Sequence, residues 1–149
     1  MPYAMRSVVS QDVDEHAANL SAWGQTYDQL SAGAFSGSLT EVWTNDAQVF
    51  RETTSHVMRQ SCRVWPGSIW FGIPVHDDSP GTICGRRFGI DAVAMRPGTC
   101  EFELLTPACF DILGLVVDAA GLVRYASDVE HRDIAACLRD EPVLTVGMA

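Results

Sequence analysis

The stretch GAFSGSLTEVWTNDAQVFRE, Gly33 to Glu52, alternates with a period of two on both sides of Asn45-Asp46. A period of two sends successive side chains to opposite faces, the pattern of an antiparallel hairpin and not of a helix. With Asn45-Asp46 as a two-residue turn, Trp43 faces Gln48, Val42 faces Val49, Glu41 faces Phe50 and Leu39 faces Glu52. One surface then carries Leu39, Glu41, Trp43, Gln48, Phe50 and Glu52. The other carries Ser38, Thr40, Val42, Thr44, Val49, Arg51 and Thr53. The bulky apolar groups assign the first surface to the interior; an odd loop length would reverse the assignment.

That interior surface contains two carboxylates, and a buried carboxylate without a partner costs several kcal/mol. Two readings follow. In the first, Glu41 and Glu52 lie at the rims, wet or matched to arginines such as Arg59 or Arg63. In the second, they look into a wet cavity and recognise an amine or guanidine, with Trp43 and Phe50 offering aromatic faces to the cation. The candidate ligand-binding set is Glu41, Trp43, Phe50, Glu52 and, from SIWFGIPV, Trp70.

From Gln25 to about Val117 the chain is rich in β-formers and divided by turn chemistry. Pro66-Gly67, Pro80-Gly81 and Pro97-Gly98 suit type II turns, in which glycine takes the positive φ. GSLTEVW, AQVFRETTSHV, SIWFGIPV, DAVAM, CEFELL and FDILGLVV lie between the turns, a spacing that indicates an antiparallel sandwich or barrel. DVDEHAANLSAW is a short helix, with Asp12 or Asp14 as N-cap. After Val117 the pattern turns helical again. Asp118 caps a helix that aligns Leu122, Val123, Ala126 and Val129, and this stripe is the candidate dimerisation surface or else packs on the chain's own sheet. In HRDIAACLRD, Ile134, Cys137 and Leu138 share one face of a second C-terminal amphipathic helix.

At 149 residues the chain is one domain's worth. Its net charge of −9, with ten basic residues that are all arginine, argues against direct contact with nucleic acid, which needs clustered cations. The sequence lacks an apolar run long enough for a bilayer and a signal-peptide h-region, so the expected location is cytoplasmic, with no membrane partner. Five cysteines without a C-x-x-C pair read as reduced thiols. His16, His56, His76 and His131 are isolated, so no metal site and no cofactor is expected. Neither a G-x-S-x-G nor a phosphate-binding glycine loop occurs, and no catalytic grouping argues for an enzyme.

Four stretches together, DVDEHAANLSAWGQTYDQLSAGAFSGSLTEVW, QVFRETTSHVMRQ, WPGSIWFGIP and FDILGLVVD, resemble the N-terminal regulatory half of AraC-type bacterial transcription regulators. The branch with the most similar flavour includes the ethanolamine- and ornithine-utilisation regulators. The resemblance runs from about Asp12 to about Val143, and YDQLSAGAFSGSLTE is its most distinctive part. It implies a mainly β, cupin-like, jelly-roll-like antiparallel barrel at 1–117 that senses a small effector, with an amine or amino acid favoured. It implies helices at 118–141 that support a homodimer, and at 142–149 the start of a linker to an absent helix-turn-helix DNA reader. The effector would act by favouring one dimer arrangement over another. The competing expectations are a small cupin-type enzyme or isomerase, and a structural dimerisation module with a filled interior.

Overall fold

The computed structural model describes residues 4–76, 79–138 and 141–146. With elements numbered in chain order, one antiparallel sheet has seven strands: β1 (Ala4–Ser10), β3 (Gly37–Trp43), β4 (Ala47–Thr54), β11 (Phe110–Asp118), β6 (Ser68–Pro74), β9 (Ala92–Pro97) and β12 (Val143–Thr145), in that spatial order. The second has five: β2 (Gly24–Gln29), β5 (Met58–Arg63), β10 (Phe102–Thr106), β7 (Gly81–Ile83) and β8 (Arg86–Phe88). Helix α1 (Val13–Asn19) joins β1 to β2, and α2 (Ala119–Asp128) follows β11. The architecture is mainly β, with two antiparallel sheets, as expected. The closed barrel is not formed: among the described residues no strand of one sheet pairs with a strand of the other. The free edges of the larger sheet are β1 and β12, and side chains from the facing sheets make the core.

The central hairpin has the register expected from its turn. Trp43 pairs with Gln48, Glu41 with Phe50 and Leu39 with Glu52. Leu39, Glu41, Gln48, Phe50 and Glu52 are buried, and Trp43 is half-buried. Helix α1 starts at Asp12, whose carboxylate accepts the Glu15 N–H, and α2 starts at Asp118, which accepts from Gly121. Of the three Pro-Gly pairs, only Pro66-Gly67 shows the expected positive φ, +78° at Gly67. Gly81 opens β7, and at Gly98 an added Cβ would lie 2.2 Å from the Trp65 carbonyl oxygen, so close backbone approach is what requires glycine there.

Two expectations at the C-terminal end are corrected. The second C-terminal helix is absent among the described residues: 131–138 contains only a turn, and Arg139 and Asp140 lie outside them. His131 takes a left-handed φ of +54°, and the Asp133 carboxylate accepts the Ala135 N–H, a local turn bond that competes with helix formation. The residues read as the start of a linker instead include β12, which pairs with β9 through Val143↔Ala94; 147–149 lie outside the described residues.

Candidate functional site

The inner faces of the two sheets converge on a small cavity lined by Trp23, Phe50, Glu52, Gln60, Trp70 and Thr106, among others. Each element contributes through its alternation. β4 sends Phe50 and Glu52 inward, β6 sends Trp70, β5 sends Gln60 and β10 sends Thr106. The free volume is about 10 Å³, room for about one water molecule. Aromatic rings fill the remainder. The Trp70 ring stacks on Phe102 with centroids 5.2 Å apart, and the Trp23 indole meets Phe50, Trp70 and Phe102 edge-on at 5.6, 5.7 and 6.3 Å. Gly114 on β11 makes room for Phe50: a Cβ there would stand 2.2 Å from Phe50 Cζ.

Polar groups are set into this aromatic interior. The Tyr27 hydroxyl donates to Glu52 Oε2 at 2.8 Å, and burial, reinforced by the nearby Glu52 charge, pushes the phenol pKa well up. His16 Nε2 lies 3.2 Å from the same oxygen, yet neither ring nitrogen makes a hydrogen bond. Its ring sits 5.3 Å from Phe35 and 5.9 Å from Tyr27, and Gly37 permits the approach, since a Cβ there would be 2.6 Å from Nδ1. Trp70 Nε1 and Thr106 Oγ1 are buried and unpaired, on residues 1% and 2% exposed. Trp70 and Thr106 thus line the same apolar space as Glu52, and their two unmatched polar atoms cost free energy while Glu52 has its Tyr27 donor.

Glu41 is a separate, satisfied site. It is 2% exposed, receives Arg6 Nη2 at 2.8 Å and Gln48 Nε2 at 3.0 Å, and also accepts from the Ser21 hydroxyl. Burial pushes this carboxyl up, but the donors from Arg6, Ser21 and Gln48 together hold it below the usual value. Gln48 extends the network outward, its Oε1 accepting from Trp23 Nε1 at 3.0 Å and Trp65 Nε1 at 3.3 Å. The expected partners Arg59 and Arg63 instead meet Asp28 and Glu101.

Of the sequence-derived ligand set, Phe50, Glu52 and Trp70 line the cavity; Glu41 and Trp43 do not, and Trp43 packs on Trp65 at 5.9 Å. Tyr27, Gln60, Thr106 and Trp23 were missed. Tyr27, Gln60 and Thr106 share inward positions of the facing sheet, a signal that the hairpin alone does not carry. On α2, Ala126 is buried and Leu122 and Val123 are half-buried where the helix packs on β11 and β6, whereas Val129 is exposed beyond its end. No group of three or more His, Cys, Asp or Glu among the described residues is arranged to hold a metal, and no described helix is long and apolar enough to cross a membrane.

No family model matches the chain. Among solved structures, the AraC-like transcriptional activator CuxR is similar in fold, with a TM-score of 0.56 and 15% identity over 85% of this chain and 52% of that one. This chain thus spans about half the length of that activator. Further matches are the Rhodobacter sphaeroides complex of SigE with the anti-sigma ChrR (TM-score 0.43, 11% identity, 62% of this chain and 47% of that one) and a Bacillus subtilis oxalate decarboxylase OxdC mutant (0.39, 14%, 81% and 40%).

Proposed function

We propose that this chain is the ligand-sensing regulatory domain of an AraC-type transcription regulator, binding a small metabolite between its two sheets. One observation carries the reading. Glu52, Trp70 and Thr106 line one interior space, and the buried Trp70 Nε1 and Thr106 Oγ1 have no partner, where a purely structural core would place apolar atoms. The fold shared with an AraC-like activator supports it. An amine or amino acid remains the favoured effector, with Glu52 receiving the ammonium and Phe50 and Trp70 flanking it.

A cavity of about 10 Å³ admits no metabolite, so binding requires a second conformation. Trp23 is the side chain to move. It lies in the α1–β2 turn, is half-buried, and follows Ala22, which has a left-handed φ of +66°. Its withdrawal breaks the side-chain hydrogen bond to Gln48 and frees the space its indole fills. An effector that binds only the open form shifts the population by its differential affinity. In a full-length regulator, that shift would alter the dimer arrangement that sets the spacing of two DNA readers.

The small cavity itself favours a second reading, a structural module with a filled interior. Thermal denaturation against a panel of amines, amino acids and sugars separates the two. A sensor gains about 2.7 kcal/mol at a hundredfold excess over Kd, and Glu52→Gln removes the gain for a cationic effector. No stabilisation by any member of the panel would favour the structural module.

A further inference from the structure

We propose that the outer face of the seven-stranded sheet is a homodimer interface, with a second copy of this chain stacked face to face on it. The registers define the surface. Met5 pairs with Val42, Val42 with Val49, Val49 with Leu115, Leu115 with Phe71 and Phe71 with Met95. Six apolar residues thus form one unbroken row across six strands, on the face turned away from the core. An outward sheet face is ordinarily polar, and this alternation fails at its centre.

The chain covers one end of the face itself. Ile69 on β6 and Met95 on β9 are fully buried, and α2 packs on β6 and β11. The rest is open: Met5 is 65% exposed, Val49 44% and Leu115 37%, with Leu113 and Ile73 flanking them in the next row. From the strand spacing and rise, the open apolar row is about 24 Å long and about 7 Å wide, and with Leu113 and Ile73 beside it the apolar area is about 230 Å² per copy. A standard interface buries about 800 Å² per partner, so this is the apolar centre of one, with Ser7, Thr40, Ser38 and Thr53 forming a polar rim.

Charge identifies the occupant. The chain carries a net −9, so two copies repel through most of their surface. On the outward positions of β1, β3, β4, β6 and β11 the only acid that pairs in these ladders is Asp111, and it is neutralised: Arg51 grips it at 2.9 and 2.6 Å, and His76 Nε2 lies 3.3 Å away. An apolar face whose one acid is matched by Arg51, on a strongly acidic protein, suits a second, equally acidic copy. A two-fold axis through the Val49–Leu115 pair makes the row self-complementary. The inference does not rest on the effector reading, since a filled, ligand-free module would dimerise in the same way.

Sedimentation equilibrium of the full chain over about 1–200 µM covers the weak end of affinities for interfaces of this size. The expected result is a reversible dimer. Val49→Glu and Leu115→Glu, both at exposed positions, should weaken it at least about tenfold through like-charge juxtaposition across the axis. Val129→Glu, on the exposed end of the helical stripe, should leave it unchanged. Should the glutamate variants lose the wild-type circular dichroism, the milder pair Val49→Thr and Leu115→Thr decides: weakened dimerisation supports the interface, and wild-type dimerisation overturns it. A wild-type chain that stays monomeric throughout, or a dimer dissociated by Val129→Glu and not by the sheet-face variants, also overturns it.

Discussion

Arg6→Ala tests whether the buried Glu41 is held as a carboxylate by the edge strand. In the folded chain Arg6 meets Glu41 at 2.8 Å, the arginine side chain being 48% exposed and the glutamate 2%. Removing one partner of a fully buried pair costs about 3–5 kcal/mol. Here water can replace the guanidinium from its exposed side, and Ser21 and Gln48 still donate. The expected cost is therefore nearer that of one charged hydrogen bond, about 1.5–3 kcal/mol at pH 7. For a domain of this size that lowers Tm by about 3–12 °C. The pH dependence gives a second readout. Glu41 is held below its usual value in the folded state, so its contribution is present above the unfolded pKa of about 4.3 and is lost as pH falls through the folded one. The gap between wild type and variant should close in acid. Urea denaturation at pH 7 and at about pH 3.5 measures both, with Glu41→Gln completing a double-mutant cycle. A loss below about 0.5 kcal/mol at pH 7, the range of an ordinary surface substitution, would mean that Arg6 does not hold the Glu41 carboxylate. So would a loss of equal size in acid.

Other outcomes follow from the packing. Gly114→Ala puts a methyl 2.2 Å from Phe50 Cζ and should cost about 1–3 kcal/mol by overpacking, read as a lowered Tm. Burial pushes the Tyr27 phenol and the Cys62 thiol up, so stability should fall as pH rises past their unfolded values of about 10 and 8.5; Tyr27→Phe should flatten the part above pH 10 in urea titrations. Trp23→Ala should cost about 2–4 kcal/mol, somewhat less than a fully buried tryptophan, and millimolar indole should restore part of the Tm by refilling the space; no restoration would mean that the interior collapses around it.

The hairpin was legible because its register depends on four neighbouring residues: once Asn45-Asp46 makes the turn, every pair from Trp43↔Gln48 to Leu39↔Glu52 is fixed. The caps at Asp12 and Asp118 were legible for the same local reason. What failed depends on distance. AMRSVVS does alternate, but its role as edge strand and the Arg6–Glu41 pair arise from contacts 35 residues apart, and the carboxylate was matched to the wrong arginines. The cavity depends on the register between two sheets, so the hairpin alone points Glu52 inward and carries no sign of Tyr27, Gln60 and Thr106. HRDIAACLRD has an amphipathic pattern, yet its segment keeps a left-handed residue and an Asp133 turn, and pattern alone does not weigh that competition.

Metabolite binding requires the space behind Trp23 to open. The four tryptophan indole N–H signals in a ¹⁵N correlation spectrum report on it directly when the effector found by thermal denaturation is titrated in. The expected result is that the Trp23 and Trp70 signals move together and saturate, because one loses its bond to Gln48 and the other gains its first partner. Saturable binding that shifts Trp43 and Trp65 while leaving Trp23 and Trp70 unmoved would contradict it.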